Sequence, residues 1–310
     1  MLITIAGCGA LGCSLGARMI ASGLDVQAYG RPGSHLEALA KDGIILAPDW
    51  QGKRQTFPLL AASNSPSKLQ PTELIIVLVK AHQTAAIAPI REILKPDGVC
   101  LTLQNGLGNA ETLAPLFGQE NLAAGIATYG STRKAPGVVD GSSQGFIIAG
   151  PWLPGNAMNW VGELLADSGL NSTWVKDPRP AIWNKLCLNA MMNPVAALTG
   201  QPNGKLLEND HCMTLMRALF DEAATAADRA GVMIDRQAAW DKGIDTIKKT
   251  AKVRPSMLQD LDHGARTETD AISGGVLAQA QSESDFPQTR AVHAQVKAID
   301  ARNGHADSSE

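Results

Sequence analysis

The chain of 310 residues is long for one domain and favours a division into about two. Its side chains are 45% hydrophobic and 18% charged, which is the composition of an ordinary soluble globular protein. A net charge of −3 and an aromatic content of 4% provide neither a basic surface nor stacking platforms for nucleic acid, and no polybasic membrane anchor. We therefore expect neither nucleic acid nor a membrane as a partner.

The cysteines, the histidines and the first residues indicate the compartment. The five cysteines form no CxxC pair and the six histidines lack zinc-ligand spacing, so we expect reduced thiols and no metal. An apolar strand starts at residue 2 and leaves no room for a signal peptide. No apolar run reaches the roughly 18 residues that a membrane span needs. These features predict a cytoplasmic protein.

The first half of the chain alternates short apolar runs with helical stretches. Strands are predicted at 2–6, 25–29, 73–79 and 99–104, and helices at 10–22, 35–41, 82–94 and 109–117. The run ELIIVLV at 73–79 is typical of a parallel strand buried on both faces. This rhythm predicts a doubly wound, mostly parallel α/β sheet.

Shorter strands follow between 121 and 176. Patterns at 125–133, 137–141 and 145–149 predict strands, the last two joined by a Gly-Ser-Ser turn, and an antiparallel extension of the sheet. A helix within 151–168 and a strand at 172–175 complete this part.

Strand patterns nearly vanish after Pro178. Helices are predicted at 180–200, 209–230, 235–251 and 256–282, with stops at Gly231 and Gly264. We therefore predict an α/β domain over 1–176 and an all-α domain over 177–310. The polar tail 303–310 is predicted to be disordered.

The motif Gly7-Cys8-Gly9-Ala10-Leu11-Gly12 predicts the dinucleotide site. It follows a strand and opens a helix, as GxGxxG must in a βαβ unit. Its glycines would permit a tight turn, close approach of the pyrophosphate and close helix–strand packing. The helix N-terminus would bind the phosphates. A glycine-rich turn without a ligand is the alternative.

The end of the second strand indicates which dinucleotide binds. Tyr29-Gly30-Arg31 stands where NAD-dependent folds usually carry an acid for the ribose hydroxyl. A guanidinium can bind a 2′-phosphate in bidentate fashion, which favours NADP(H) by roughly ten- to a hundredfold. Lys80, just past the strand at 73–79, is a second candidate cation. A solvated side chain is the alternative for both residues.

Candidate substrate-binding residues lie on one helix and in one turn. Lys185, Asn189 and Asn193 are spaced at i, i+4 and i+8 and form a polar stripe on an otherwise apolar helix. Buried polar groups need partners, so this stripe predicts a polar ligand unless it is an exposed edge. Asn105-Gly106 follows the strand at 99–104, where ligands collect in such sheets, although Asn-Gly also forms turns.

Three further positions have no function on spacing alone. Asn203-Gly204 is predicted as a turn, and Ser256 with Gln259 fits a capping box. Glu268 is predicted as an acid in the first turn of a helix, where the helix dipole favours it.

With these positions assembled, the chain resembles the ketopantoate reductase family. The motifs that carry the resemblance are GCGALG at 7–12, KA at 80–81, QNG at 104–106, WNKLCLNAMMNP at 183–194, QPNGKL at 201–206, SMLQD at 256–260 and TETD at 267–270. They are ordered, correctly spaced and cover nearly the whole length. The family joins an N-terminal Rossmann domain to a helical domain, with the active site in the cleft between them.

The resemblance also implies roles for individual residues. Lys185 would be the general acid, with Glu268 helping to place it and meeting the cofactor. Asn105 would contact both nicotinamide and substrate. The keto acid would be bound by Asn189, Asn193, Asn203 and Ser256. Arg31 and Lys80 match the cations for the adenosine phosphate, and Ser131 falls in a stretch whose backbone approaches the nicotinamide.

The implied reaction is the NADPH-dependent reduction of 2-dehydropantoate to pantoate, a step toward pantothenate and coenzyme A. An ammonium group suits this chemistry because it stabilises the charge that a hydride leaves on the carbonyl oxygen and then delivers a proton. The alternatives are a reductase of another branched 2-oxo acid on the same scaffold and a non-catalytic NADP(H) sensor. The small-molecule substrate would be the main partner, and a homodimer is left open.

Overall fold

The computed structural model describes residues 1–47, 54–141 and 144–305. The chain divides into two compact units, of which the first comprises 1–104 and 109–178 and the second 105–108 and 179–310. The predicted tail lies mostly outside the described residues, because only 303–305 of it are included.

An eight-stranded sheet forms the centre of the first unit. Its strands are β1 (Leu2–Ala6), β2 (Asp25–Tyr29), β5 (Ala62–Ser63), β6 (Thr72–Val77), β7 (Leu94–Thr102), β8 (Leu122–Ala127), β11 (Ile147–Pro151) and β12 (Ser172–Trp174). The order is β12-β11-β8-β7-β6-β1-β2-β5, and only the β8–β11 pair is antiparallel. The predicted fold class is confirmed. Since β1 lies between β2 and β6, the chain changes direction across the sheet at β1, where such folds bind ligands.

A second sheet of four short strands belongs to the same unit. It contains β3 (Ile44–Leu46), β4 (Gln55–Phe57), β9 (Thr132–Ala135) and β10 (Val138–Asp140), in the order β4-β3-β10-β9. The predicted strand at 125–133 is therefore two strands, β8 and β9, in different sheets. The antiparallel extension exists as β11 on β8, but β10 pairs with β9 and β3 instead of β11. The predicted Gly-Ser-Ser turn includes residues 142–143, which lie outside the described residues.

The helices of the first unit are α1 (Ala10–Ala21), α2 (Ser34–Asp42), α3 (Asn109–Phe117) and α4 (Asn159–Asp167). The predicted helix at 82–94 is instead 3₁₀-helical over Ala81–Gln83 and Ala85–Ile93. Pro89 interrupts the second segment, and its missing N–H and its ring are incompatible with a regular α-helix interior. The apolar face still packs inward through Ile87, Ile90 and Ile93, which are all buried.

The second unit is helical throughout its described part. Its helices are α5 (Arg179–Thr199), α6 (Asn203–Leu207), α7 (Asp210–Arg229), α8 (Arg236–Lys249), α9 (Ser256–Asp262), α10 (Thr269–Leu277) and α11 (Pro287–Arg302). Asn209 and Asp235 cap α7 and α8 by accepting bonds from helical N–H groups. The predicted stop at Gly264, where φ is +61°, divides the pattern at 256–282 into α9 and α10. Asn203-Gly204, predicted as a turn, begins α6.

Each unit has its own hydrophobic core. In the first, Ile3, Ile5, Leu15 and Leu74 are fully buried between sheet and helices. In the second, α5 and α7 contribute Met191, Met216 and Phe220 to a separate cluster. Since each core closes on its own, each unit can hold its functional residues in place.

None of the described helices combines the length and apolar character needed to cross a membrane. Among the described residues, no group of three or more His, Cys, Asp or Glu side chains is arranged to hold a metal ion.

Candidate functional site

The turn between β1 and α1 has the backbone that the glycine motif requires. Gly7 adopts φ +93°, and a Cβ there would overlap the backbone of Val79. A Cβ at Gly12 would lie 2.6 Å from the carbonyl oxygen of Gly7. Space beside Gly9 is open, with no atom within 4 Å of a Cβ built there. The two outer glycines therefore serve packing, and the middle one leaves the concave turn that a pyrophosphate fits.

The candidate cations lie beyond the ends of two strands that flank β1. Arg31 is exposed two residues after β2 ends. Asp25, the acid of that strand, lies at its opposite end. Lys80 is partly buried and precedes a 3₁₀ turn after β6. β1 and β6 run parallel, and the N–H of Leu78 donates a bond of 2.7 Å to the carbonyl of Ala6, just before the glycine turn. Lys80 follows Leu78 by two residues.

A buried polar network fixes the loop that carries Lys80. Gln104 donates from Nε2 to the carbonyl of Val79 at 2.9 Å and to Thr84 Oγ1 at 2.8 Å. The Thr84 hydroxyl in turn lies 2.8 Å from the carbonyl oxygen of Ala81 and 3.0 Å from Asn109 Oδ1, and its proton is shared between these two acceptors. Sequence reasoning did not assign these three residues. Their signal was a polar side chain within a buried segment, which requires a partner.

Ser131 lies against the first residue of α1. Its hydroxyl is 2.9 Å from the carbonyl oxygen of Ala10 and 2.8 Å from that of Asp140. The hydroxyl therefore donates its proton to a backbone carbonyl of the protein. Ser131 therefore supports the glycine turn, and direct contact with a cofactor remains a prediction.

α5 carries the polar stripe of the second unit. Lys185 and Asn189 are partly buried, and Asn193 is 2% exposed. Burial lowers the pKa of Lys185 to about 8, and the nearby charge of Glu268 opposes that shift. A lysine in this setting can hold and release a proton near neutral pH, as a general acid must.

Glu268 and Asn105 meet beside the start of α10. Glu268 is 5% exposed and accepts a hydrogen bond of 3.2 Å from Asn105 Nδ2. Glu268 is the N-cap residue of α10, but its side chain does not cap the helix. The predicted first-turn acid is therefore directed to another use. Leu107 N–H also donates to the carbonyl of Ala271 at 2.9 Å, which fixes the segment after Asn105 onto α10.

Two asparagines in the second unit present buried oxygen atoms without partners. The Oδ1 atoms of Asn193 and Asn203 accept no hydrogen bond from the described residues. Asn203 Nδ2 donates to Thr250 Oγ1 at 2.9 Å, while the Thr250 hydroxyl gives its proton to the carbonyl of Thr246 at 2.7 Å. Thr250 can therefore only accept from Asn203, which fixes the amide orientation. Such buried acceptors cost free energy unless a ligand supplies a donor.

The capping role predicted for Ser256 is wrong. Ser256 is the first residue of α9, Pro255 holds the N-cap position, and the cap makes no side-chain hydrogen bond. Gln259 donates instead to the carbonyl of Arg254 at 2.6 Å, and Ser256 itself is exposed. Proline at the N-cap leaves the serine hydroxyl available for another use, so its role in substrate binding stays a prediction.

The structure thus groups the candidate residues in two sets. Lys185, Glu268 and Asn105 interact within the second unit, where Asn203 is held separately by Thr250. The glycine turn, Lys80 and Ser131 cluster in the first unit, near the carboxyl end of β1.

Comparison with known proteins agrees with this fold. Residues 3–154 match the family described as ketopantoate reductase PanE/ApbA, and residues 177–300 match its C-terminal domain family. A 2-dehydropantoate 2-reductase of Archaeoglobus fulgidus is 32% identical over 283 residues, covering 90% of this chain and 90% of that protein. The crystal structure of a 2-dehydropantoate 2-reductase from Geobacter metallireducens superposes with a TM-score of 0.88 at 29% identity, covering 96% and 99% of the two chains. A D-mandelate dehydrogenase solved with NADH and anilino(oxo)acetate shares the fold at 22% identity, with a TM-score of 0.90 over 98% of this chain and all of that one.

The glycine turn on a mostly parallel sheet is that of a Rossmann-type dinucleotide-binding protein, and the matched relatives make the class an oxidoreductase. Within that class, the chain belongs to the ketopantoate reductase family. The resemblance found in the sequence motifs is confirmed.

Proposed function

We propose that this protein reduces 2-dehydropantoate to pantoate with NADPH, and that Lys185 donates the proton. The observation that carries this proposal is the pair formed by Lys185 and Glu268, with Asn105 bonded to the same carboxylate. A binding protein without turnover has no need of a lysine whose pKa is near 8 beside a buried acid. The named activity of relatives over most of the chain supports the same reaction.

In this mechanism each residue has a separate task. The dinucleotide, when bound, supplies the hydride to C2 of the keto acid. The Lys185 ammonium stabilises the negative charge that develops on the carbonyl oxygen and transfers a proton to it. Glu268 keeps Lys185 protonated against the effect of burial, and Asn105 holds the Glu268 carboxylate in position.

The cofactor preference rests on the end of β2. Arg31 is exposed there and the strand has no acid at that end, so a phosphate is favoured over a ribose hydroxyl. Gly9 offers the open turn for the pyrophosphate. These residues fit NADP(H).

The orphan oxygen of Asn203 supports a substrate that carries a hydroxyl group. A carboxylate or ketone has no proton to give, so neither satisfies an acceptor. 2-Dehydropantoate has a terminal hydroxyl and can supply that proton. Another branched 2-oxo acid without a hydroxyl would leave Asn203 Oδ1 unsatisfied.

The central experiment replaces Lys185 by alanine. We expect kcat to fall by about a hundred- to ten-thousandfold because general acid catalysis is lost, while NADPH binding by fluorescence titration is retained. Lys205→Ala is the matched control, because this lysine is exposed and pairs with Glu208 on the surface. Wild-type turnover by the Lys185 variant would disprove the mechanism.

The cofactor proposal has its own test. We expect Arg31→Ala to raise KM for NADPH by roughly ten- to a hundredfold, with a much smaller change for NADH. Arg91→Ala, another exposed arginine of the first unit, is the control. Equal changes for the two dinucleotides would show that Arg31 does not read the 2′-phosphate.

The same assay decides between the remaining functions. In a panel of 2-oxo acids assayed with NADPH, a higher kcat/KM for another branched acid than for 2-dehydropantoate would show that this protein reduces that acid. A sensor would bind NADPH and reduce none of them. We also propose that the protein carries out this reduction in the cytoplasm.

A further inference from the structure

Two cysteines of the first unit lie side by side in the dinucleotide turn. Cys8 stands between Gly7 and Gly9, and Cys13 is in the first turns of α1. Their Sγ atoms are 3.5 Å apart, and Cys13 Sγ is also 3.2 Å from the carbonyl oxygen of Cys8. The residues are 4% and 0% exposed. The proposed hydride transfer uses neither thiol.

His35 on α2 completes this cluster. Its Nδ1 accepts the backbone N–H of Gly137 at 3.0 Å, so the ring proton lies on Nε2. Nε2 donates to the carbonyl of Cys8 at 2.8 Å and lies 3.9 Å from Cys13 Sγ. A donor therefore faces both the backbone of one cysteine and the sulfur of the other.

The surroundings make the two thiols unequal. The Cys8 thiol donates to Cys13 Sγ and lowers the pKa of Cys13, with His35 and the charge of Arg133 adding to this effect against burial. The same interaction raises the pKa of Cys8. By contrast, burial raises the pKa of Cys100, Cys187 and Cys212. Cys13 is thus the thiol that most readily becomes a nucleophilic thiolate.

We propose that Cys8 and Cys13 form a redox modification site in which a small peroxide closes a disulfide across the dinucleotide turn. The Cys13 thiolate attacks hydrogen peroxide, giving a sulfenic acid and hydroxide. The Cys8 sulfur then attacks the Cys13 sulfur, the S–O bond breaks, and the Cys8 proton leaves with the hydroxyl as water. Two electrons pass from the thiols to the peroxide.

The disulfide would act on cofactor binding. Closing the gap between the sulfurs from 3.5 Å to the roughly 2 Å of a disulfide draws Cys8 toward α1. Gly7 and Gly9, on either side, set the path of the turn past the pyrophosphate. We therefore expect weaker dinucleotide binding after oxidation. This consequence rests on the proposed function, whereas formation of the bond does not.

The test follows the bond itself by mass spectrometry. Full-length protein is treated with hydrogen peroxide, its remaining thiols are alkylated, and it is digested with trypsin. Cys8 and Cys13 fall in one tryptic peptide, residues 1–18, because Arg18 is the first basic residue. We expect this peptide to lose two hydrogens and to resist alkylation until dithiothreitol is added. NADP⁺ should slow the reaction, and Cys13→Ser should abolish it.

Binding is measured in parallel by titration with NADP⁺. We expect peroxide to weaken NADP⁺ binding at least about tenfold, reversibly, in the wild type and in the control Cys212→Ser, which can both form the disulfide. Binding by Cys13→Ser, which cannot form it, should not change. An unoxidised or over-oxidised 1–18 peptide, or an unchanged Kd with the disulfide present, would overturn the proposal. If the reduced protein fails to bind NADP⁺, the proposed function is wrong, and the peptide mass still decides whether the disulfide forms.

Discussion

At Lys185, burial and a neighbouring carboxylate act on the ammonium in opposite directions. Burial lowers the pKa to about 8, and Glu268 partly restores it. Since the reduction needs the protonated lysine, we expect kcat to be highest below that pKa and to fall as pH rises through about 8. A pH profile of kcat at saturating NADPH measures this.

Removing the opposing carboxylate gives a second expectation at the same residue. Glu268→Gln keeps the shape but loses the negative charge, so the pKa of Lys185 should fall further. The descending limb of the kcat profile should therefore move to lower pH. A limb that stays in place would show that another group titrates.

Asn203 tests what the substrate must donate. We expect Asn203→Ala to lower kcat/KM for 2-dehydropantoate by about tenfold and to have a much smaller effect on 3,3-dimethyl-2-oxobutanoate, which lacks the hydroxyl. Steady-state kinetics on both acids measures this. Equal losses would indicate that Asn203 supports the helix and does not bind the hydroxyl. The orphan oxygen could not be found from the sequence, because it depends on Thr250, 47 residues away.

At the scale of elements, Gly106 shows how a turn positions a side chain. It adopts φ +80°, and a Cβ there would overlap the backbone of Ala271 on α10. We expect Gly106→Ala to displace Asn105 from Glu268 and to lower kcat, because no rearrangement of a side chain relieves a backbone overlap. Gly108→Ala is the matched control: its φ is +87°, but the space beside it is open. The control should show only the strain of a positive φ, about 1–2 kcal/mol of stability by thermal unfolding.

The longer elements could be predicted from the sequence. β1, β2 and α3 have the predicted bounds, because each combines a clear apolar pattern with a turn at its ends. The strands β3 to β5 were missed, since runs of two or three residues carry no measurable period. α11 was missed too, although Pro287 at its first position is a helix-start signal. The left-handed φ of 54° at Phe286, just before it, could not be predicted from the residue type.

For the whole molecule, the two hydrophobic cores predict different responses to the cofactor. NADPH should stabilise the first unit, which holds the glycine turn, by about 2.7 kcal/mol at a concentration a hundred times Kd. Differential scanning calorimetry with and without NADPH measures the shift in Tm. Arg31→Ala at the same NADPH concentration should show a smaller shift. An equal shift would mean that Arg31 contributes nothing to affinity.

The candidate site as a whole could be predicted only in part. The stripe on α5 and the glycine turn follow from local spacing. The pairing of Asn105 with Glu268 joins residues 163 positions apart, and no local pattern encodes it. The family resemblance implied a role for each of the two residues but not the hydrogen bond between them.

The four residues 105–108 belong to the second unit although residues on both sides of them belong to the first. The chain therefore does not divide at a single peptide bond. A natural or engineered recombination that exchanges everything after Pro178 between two relatives would keep Asn105 from one parent and take Glu268 from the other. Hybrids should therefore be active only when both parents have the same residues at 105–108. The helical unit depends on this short segment, although the segment lies within the sequence of the first unit.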